Sequence, residues 1–324
     1  MAGGYTHLTL VRSALTDKMT DRKLGPILNN WGQFTYLGAV SPDYPYLAGD
    51  DAWADDMHKG GTDKLIQAAL EHLFKFKGDG KSEAWRKQVA WLFGFVAHVI
   101  ADVTIHPVVN ARVGRYEEFK KDHRICEMNQ DTWIYNEEIK ADIHNSDEMR
   151  STILLCGSKK DMNDVVEEIW RIGFLSAYGK QPDDGQIDKW NGRFIDLINT
   201  AAKTGDVPIL GRMLAGQGLA YPKLGNVDLS FILNLAVPTS KEVNEFEQPI
   251  DKTKGPGFAD VFGKTLRHVK EAWDVLRDDL LADTGVLGKK HETVFENWSL
   301  DTGITLDGSR KLRLWPFDEK LVRS

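Results

Sequence analysis

Between Gly94 and Val109 the chain reads GFVAHVIADVTIHPVV, an apolar run into which His98, Asp102 and His106 are set at intervals of four. An α-helix turns by about 100° per residue, so positions i, i+4 and i+8 fall on one face within about 80° of one another. Imidazole and carboxylate side chains thus share a stripe flanked by Phe95, Val96, Val99, Ile100, Val103 and Ile105. Burying such groups costs on the order of several kcal/mol unless they are paired. Any fold that takes in this helix must bring other protein groups, or a metal, to that stripe.

The rest of the chain is patterned for helices. Residues 63–77 (DKLIQAALEHLFKFK) place Leu65, Ile66, Ala69, Leu70, Leu73 and Phe74 at helical spacing. The stretch 82–106 opens on Ser82, a good N-cap, and is predicted to end before Pro107 as the central helix. Further helices are predicted over 161–179, 185–205 and 257–283. The tail GITLDGSRKLRLWPF alternates around an Asp-Gly turn, which predicts a small C-terminal β-hairpin. Gly-, Pro- and Asp-rich loops separate the helices, with no internal repeat and no abrupt change of charge. The expectation is one all-α domain over residues 1–324, in which 206–324 forms a helical and hairpin extension.

Charge and cysteine usage narrow the function. A net charge of −7 argues against a broad electrostatic footprint for DNA, RNA or an anionic membrane, so no long nucleic acid is expected as a partner. Cys126 and Cys156 are too few for a disulfide framework and match no paired-cysteine zinc spacing. The N-terminal residues lack the basic start and apolar stretch of a secretory signal, and no run approaches the roughly 18 apolar residues of a membrane span. A cytoplasmic protein is expected, or a secreted one if a leader was omitted. Among the ten tryptophans, Trp91, Trp170 and Trp273 sit at helix-like core positions, whereas Trp31, Trp53 and Trp133 lie in polar stretches suited to a pocket or interface.

The ligand-type residues extend beyond the stripe. DHRICEMNQDTW carries His123 and Glu127, again four apart; GAVSPDYPYLAGDDAWADDMH carries Asp43 in a turn and His58 at the end of an acidic loop; His7 precedes an apolar run near the start. Zinc favours imidazole nitrogen and carboxylate oxygen. Eight such residues from five segments exceed what one zinc ion takes and suit a cluster of two or three. Singly, each has an ordinary reading: a helical i,i+4 pair, a turn-forming Asp after Pro, a lone N-terminal His. Order and spacing make the set informative.

The series Thr6-His7, Gly38-Ala39-Val40-Ser41-Pro42-Asp43-Tyr44, His58, His98-x-x-x-Asp102, His106-Pro107 and His123-x-x-x-Glu127 resembles the zinc-dependent phospholipase C family over residues 1 to about 130. That family includes bacterial phosphatidylcholine-cleaving enzymes and the catalytic domain of glycosylphosphatidylinositol-specific phospholipase D, and its fold is similar to that of single-strand-specific nucleases. The resemblance implies an all-α helical bundle around a multinuclear zinc site. It implies that Asp43, His58, His98 and Asp102 hold one zinc, and His106, His123 and Glu127 a second. A third would be held by His7, the bridging Asp102 and the amine and carbonyl of the N-terminal residue, Ala2 once Met1 is removed.

The implied chemistry is hydrolysis of a phosphoester by metal-activated water, since zinc lowers the pKa of bound water towards about 7. Asp43 is the candidate general base, and Tyr44, Tyr46 and Trp53 are candidates to shape a head-group pocket. The acids Asp50, Asp51, Asp55 and Asp56 are candidates for fixing imidazole tautomers or for a solvated turn. The expected partner is a small phosphoester or a phospholipid head group, with transient membrane contact left open. Two other readings compete: a nuclease or 3′-nucleotidase, and a non-catalytic helical protein stabilised by zinc.

Overall fold

The computed structural model describes residues 3–16, 24–78, 82–157, 161–204, 220–238, 255–282, 285–312 and 314–315. Among them the architecture is all-helical: α1 (Gly4–Thr16), α2 (Gly25–Asn30), α3 (Gly32–Val40), α4 (Tyr44–Leu47), α5 (Asp51–His58), α6 (Thr62–Lys75), α7 (Glu83–Val113), α8 (Lys120–Ile139), α9 (Glu148–Ile153), α10 (Asp164–Tyr178), α11 (Gln186–Thr204), α12 (Phe258–Leu280) and α13 (His291–Val294). A 3₁₀ turn, Ser41–Asp43, joins α3 to α4.

Helix α7 is the axis of the molecule. By length and composition it could cross a membrane, yet its most apolar window lies entirely inside the protein. The other helices enclose it, so its apolar residues all round are buried in the protein core. The predicted end before Pro107 is corrected: the helix runs on to Val113 and stops at Gly114, whose φ of +100° suits glycine. Pro107 removes the N–H that would serve the Val103 carbonyl, at a cost of about 3 kcal/mol. Burial of Val108, Val109 and Ala111 beyond it supplies the opposing stabilisation. Gly303 packs into this notch; a Cβ there would lie 2.5 Å from both the Val103 oxygen and Pro107 Cγ.

Two glycines set the approach of α3 to α7. A Cβ on Gly38 would sit 2.1 Å from the Trp91 carbonyl oxygen, and one on Gly94 would sit 1.9 Å from that of Thr35. Backbone contact at this point leaves no room for any side chain. The result is that Ala39, on α3, reaches the imidazole of His98 on α7.

The residues after 205 pack on the same core. Along α12, Trp273 donates its indole N–H to the Phe93 carbonyl at 2.8 Å. The predicted hairpin is reduced: the described tail has no strand, only isolated antiparallel bridges, Trp298 with Thr305 and Ile304 with Leu312. The Asp307-Gly308 turn forms, but side chain-to-backbone bonds from Asp307 and Thr305 take positions that a longer ladder would use.

Candidate metal centre

Five segments bring their polar side chains to one buried place. Helix α1 supplies His7, the 3₁₀ turn Asp43, α5 His58, α7 the stripe His98, Asp102 and His106, and α8 the pair His123 and Glu127. The side chain of Asp43 is 14 % exposed, while those of His58, His98 and Asp102 are wholly buried, so the site opens to solvent at Asp43.

Donor atoms gather around Asp102. Its Oδ2 lies 3.2 Å from His98 Nε2 and 3.6 Å from His58 Nε2, and Asp43 Oδ1 lies 3.3 Å from His58 Nε2 and 3.9 Å from His98 Nε2. The other oxygen, Oδ1, lies 3.3 Å from His7 Nε2 and 3.6 Å from His106 Nε2. His106 Nε2 is in turn 3.7 Å from Glu127 Oε1, which is 2.9 Å from His123 Nδ1. Zinc bonds of about 2.0–2.1 Å in a tetrahedron put neighbouring donors about 3.3 Å apart, and these separations scatter around that value. Two overlapping groups, His7 with Asp43 and His98, and His58 with His98 and Asp102, have all their donor atoms within 4.8 Å of one another.

The imidazoles are held by backbone. His58 Nδ1 donates to the Ala54 carbonyl at 2.8 Å, His98 Nδ1 to that of Ala39 at 2.9 Å, and His106 Nδ1 to that of Leu300 at 2.5 Å. In the neutral rings these bonds fix the tautomer, so that each Nε2 carries no proton and aims its lone pair into the cluster. None of these buried Nε2 atoms makes a hydrogen bond among the described residues. Buried nitrogen in that condition costs about 1–3 kcal/mol per atom unless a ligand takes it up.

His123 reaches the same end by another route. Asn110 donates through Nδ2 to the Asp301 carbonyl at 2.6 Å, so its Oδ1 faces His123 and accepts from Nε2 at 3.1 Å. The remaining Nδ1 therefore confronts Glu127 Oε1 as acceptor against acceptor. A proton or a cation must lie between them. Burial pulls the His123 pKa down, which disfavours the proton. The donor set, its mixture of nitrogen and oxygen and its orphaned lone pairs fit zinc.

The carboxylates are held ionised. Burial alone would raise Asp102, but His106 and His98 hold it well below the usual carboxylate range; burial likewise opposes Asp43, and His98 and His58 outweigh it. The Oε2 of Glu127 is fixed by Arg124 at 2.8 Å.

The other predicted residues separate. Tyr46 borders the site, its ring centroid 5.4 Å from that of His58 and its hydroxyl donating to Asp55 at 2.8 Å. Tyr44 is corrected to a core residue: it is wholly buried with its ring stacked on Phe194. Trp53 is corrected likewise, packing on Phe174 and Trp190 beneath the Lys180 ammonium. The acidic loop does not orient the imidazoles; backbone carbonyls do. Asp50 accepts from Trp190 and Lys189, Asp55 from Tyr46 and Lys59, and Asp56 pairs with Lys180, while Asp51 is exposed. Ala2 lies outside the described residues. Sequence reasoning missed Asn110, the Leu300 carbonyl, Asp301 and Asp131. Of these Asn110 and Asp131 left a signal, since each extends its stripe, His98-Asp102-His106 and His123-Glu127, by another four residues.

An all-helical fold wrapped around buried histidines and carboxylates defines a protein with a donor set suited to zinc. The family model for zinc-dependent phospholipase C matches residues 6–178, just over half of the chain, and the chain belongs to that family. No curated protein and no solved structure gives a significant match.

Proposed function

We propose that the protein is a zinc-dependent phosphodiesterase of phospholipase C type, cleaving a phospholipid or a related phosphodiester between the phosphate and the alcohol. The observation that carries this reading is the set of Nε2 lone pairs of His58, His98 and His106, each aimed inward by a backbone carbonyl on its Nδ1. Asp43, His58, His98 and Asp102 would hold one cation and His106, His123 and Glu127 another; His7 with Asp102 would contribute to a third. When bound, zinc supplies an acidified water at neutral pH and neutralises charge that develops on phosphoryl oxygens.

The protein's own residues supply the rest. Asp43 stands at the solvent-facing side, where a carboxylate oxygen can accept a proton from the attacking water. Asp102, with one oxygen beside His98 and the other beside His7, would help hold more than one cation. Tyr46, in reach of the opening and tied to Asp55, supports a wall for the alcohol or head group.

The test is hydrolysis by zinc-loaded protein. Release of diglyceride from phosphatidylcholine vesicles is expected, and Asp43→Asn should abolish it, with zinc content measured alongside. Orthophosphate from 3′-AMP with no diglyceride would replace this reading by the nucleotidase one. Zinc content that governs melting without any hydrolysis would replace it by a structural role.

A further inference from the structure

The loop of residues 297–303 lies outside the family-matched residues, yet it is built into the metal centre. The Leu300 N–H donates to the His58 carbonyl at 2.7 Å, and the Leu300 carbonyl accepts from His106 Nδ1. The next carbonyl, that of Asp301, receives Asn110, which sets the tautomer of His123. The loop is closed on itself, with Gly303 donating to the Ser299 carbonyl at 2.7 Å, and is anchored by Trp298 and Leu300, both buried. Asp301 therefore stands at a fixed place between the His58 side and the His123 side of the site.

Its carboxylate is otherwise unexplained. Asp301 is only 6 % exposed, and among the described residues no hydrogen bond or ion pair reaches its side chain. Burial pushes the carboxyl up, and the charge of His58 pulls it back. A carboxylate this enclosed is stabilised by a cation placed beside it.

The charge balance of the site points the same way. Even two divalent cations bring four positive charges, against the three carboxylates Asp43, Asp102 and Glu127, and the guanidinium of Arg124 on Glu127 reduces that negative charge further. A hydroxide on the cations or a further carboxylate would offset that excess.

We propose that Asp301 is the fourth carboxylate of the metal centre, a positioning residue that balances the charge of the cations and accepts hydrogen bonds from their coordinated solvent. The inference rests on the zinc reading of the site and deepens it: the C-terminal region supplies part of the centre, not only its cover.

The experiment uses the full-length chain with zinc alone as the probe. Bound zinc is measured against a competing chelator, and cobalt-loaded protein is examined by visible absorption. Asp301→Asn is isosteric and keeps the backbone bond to Asn110, so the metal-free melting temperature should not change. Its apparent zinc affinity should fall about 10- to 100-fold and the cobalt bands should shift. Asp301→Glu should recover part of the affinity. Asp301→Ser serves where the amide does not fold and should behave as Asp301→Asn. As a control, Asp307→Asn in the exposed turn of the same tail should leave the zinc curve alone, and an equal loss there would overturn the assignment to Asp301. Wild-type zinc uptake and a cobalt spectrum that Asp301→Asn leaves unmoved would overturn the inference while the zinc reading stands. Absence of zinc uptake by the wild type would overturn both.

Discussion

His98 and Asp102 stand one turn apart on α7 with Nε2 and Oδ2 separated by 3.2 Å, both wholly buried, and the other oxygen of Asp102 faces His7 across 3.3 Å. One carboxylate thus joins the N-terminal helix, the central helix and α5. Asp102→Asn replaces one oxygen by an amide N–H₂ that cannot ligate. The expected outcome is loss of at least one zinc per chain and of hydrolysis by a factor of about 10³ or more, a scale typical of groups that stabilise developing charge. Elemental analysis of the purified variant checks it, and full zinc content would contradict the bridging role.

Gly94 tests how the site depends on helix contact. Adding a methyl at 1.9 Å from the Thr35 carbonyl must push α3 from α7. Overpacking typically costs about 1–3 kcal/mol, and backbone on both sides leaves this site at or above the upper end. Because Ala39 on α3 orients His98, Gly94→Ala should lower the zinc content along with the melting temperature. A Gly94→Ala protein as stable as the wild type would show that the helices separate at no cost.

Asp131 acts at the other end of the site. Its oxygens accept from the backbone N–H of Thr6 at 2.7 Å and that of Tyr5 at 3.2 Å, from the Thr6 hydroxyl, and from Tyr221 at 3.0 Å. It thereby caps the first turn of α1, the turn that carries His7. Gly3 is required beside it, since a Cβ there would lie 2.2 Å from the carboxylate. Asp131→Asn sets an amide N–H₂ against donors on one side and should cost about 1–3 kcal/mol. Denaturant unfolding of the metal-free protein measures that cost, and a change below about 0.5 kcal/mol would refute the clamp.

These cases divide what sequence reveals from what it hides. The stripe on α7 was legible because helical spacing alone puts His98, Asp102 and His106 on one face, and the pair on α8 was legible for the same reason. Pro107 misled, because its local cost is outweighed by burial that only the assembled core provides. Tyr44 and Tyr46 are two residues apart and part company within the short helix α4, where about 200° of rotation sends one into the core and the other to the site. The carbonyls of Ala39, Ala54 and Leu300 were illegible for a simpler reason: every residue carries one, so nothing in the sequence marks those that orient an imidazole.

Protons should compete with zinc, and the direction follows from two histidines. Burial opposes charge on His58, but Asp43 at 3.3 Å, aided by Asp301 and Asp102, outweighs it and raises the pKa to about 9. His106 goes the other way: burial lowers it to about 3 despite Asp102. In the metal-free protein the raised pKa of His58 gives stability that is full below its ordinary value of about 6.5 and is lost as pH rises through about 9. The depressed pKa of His106 gives stability that is present above about 6.5 and is lost as pH falls towards 3. From these two groups, metal-free melting should peak near pH 6.5. Zinc needs the Nε2 of His58 without its proton, so loading at pH 7.5 should expel about one proton per chain from that ring, and zinc affinity should climb between pH 6.5 and 9. Calorimetric titrations of zinc into metal-free protein, run in two buffers of different protonation enthalpy, count the protons directly. Affinity that stays flat over that interval, with no proton released, would mean that His58 does not face a cation at all.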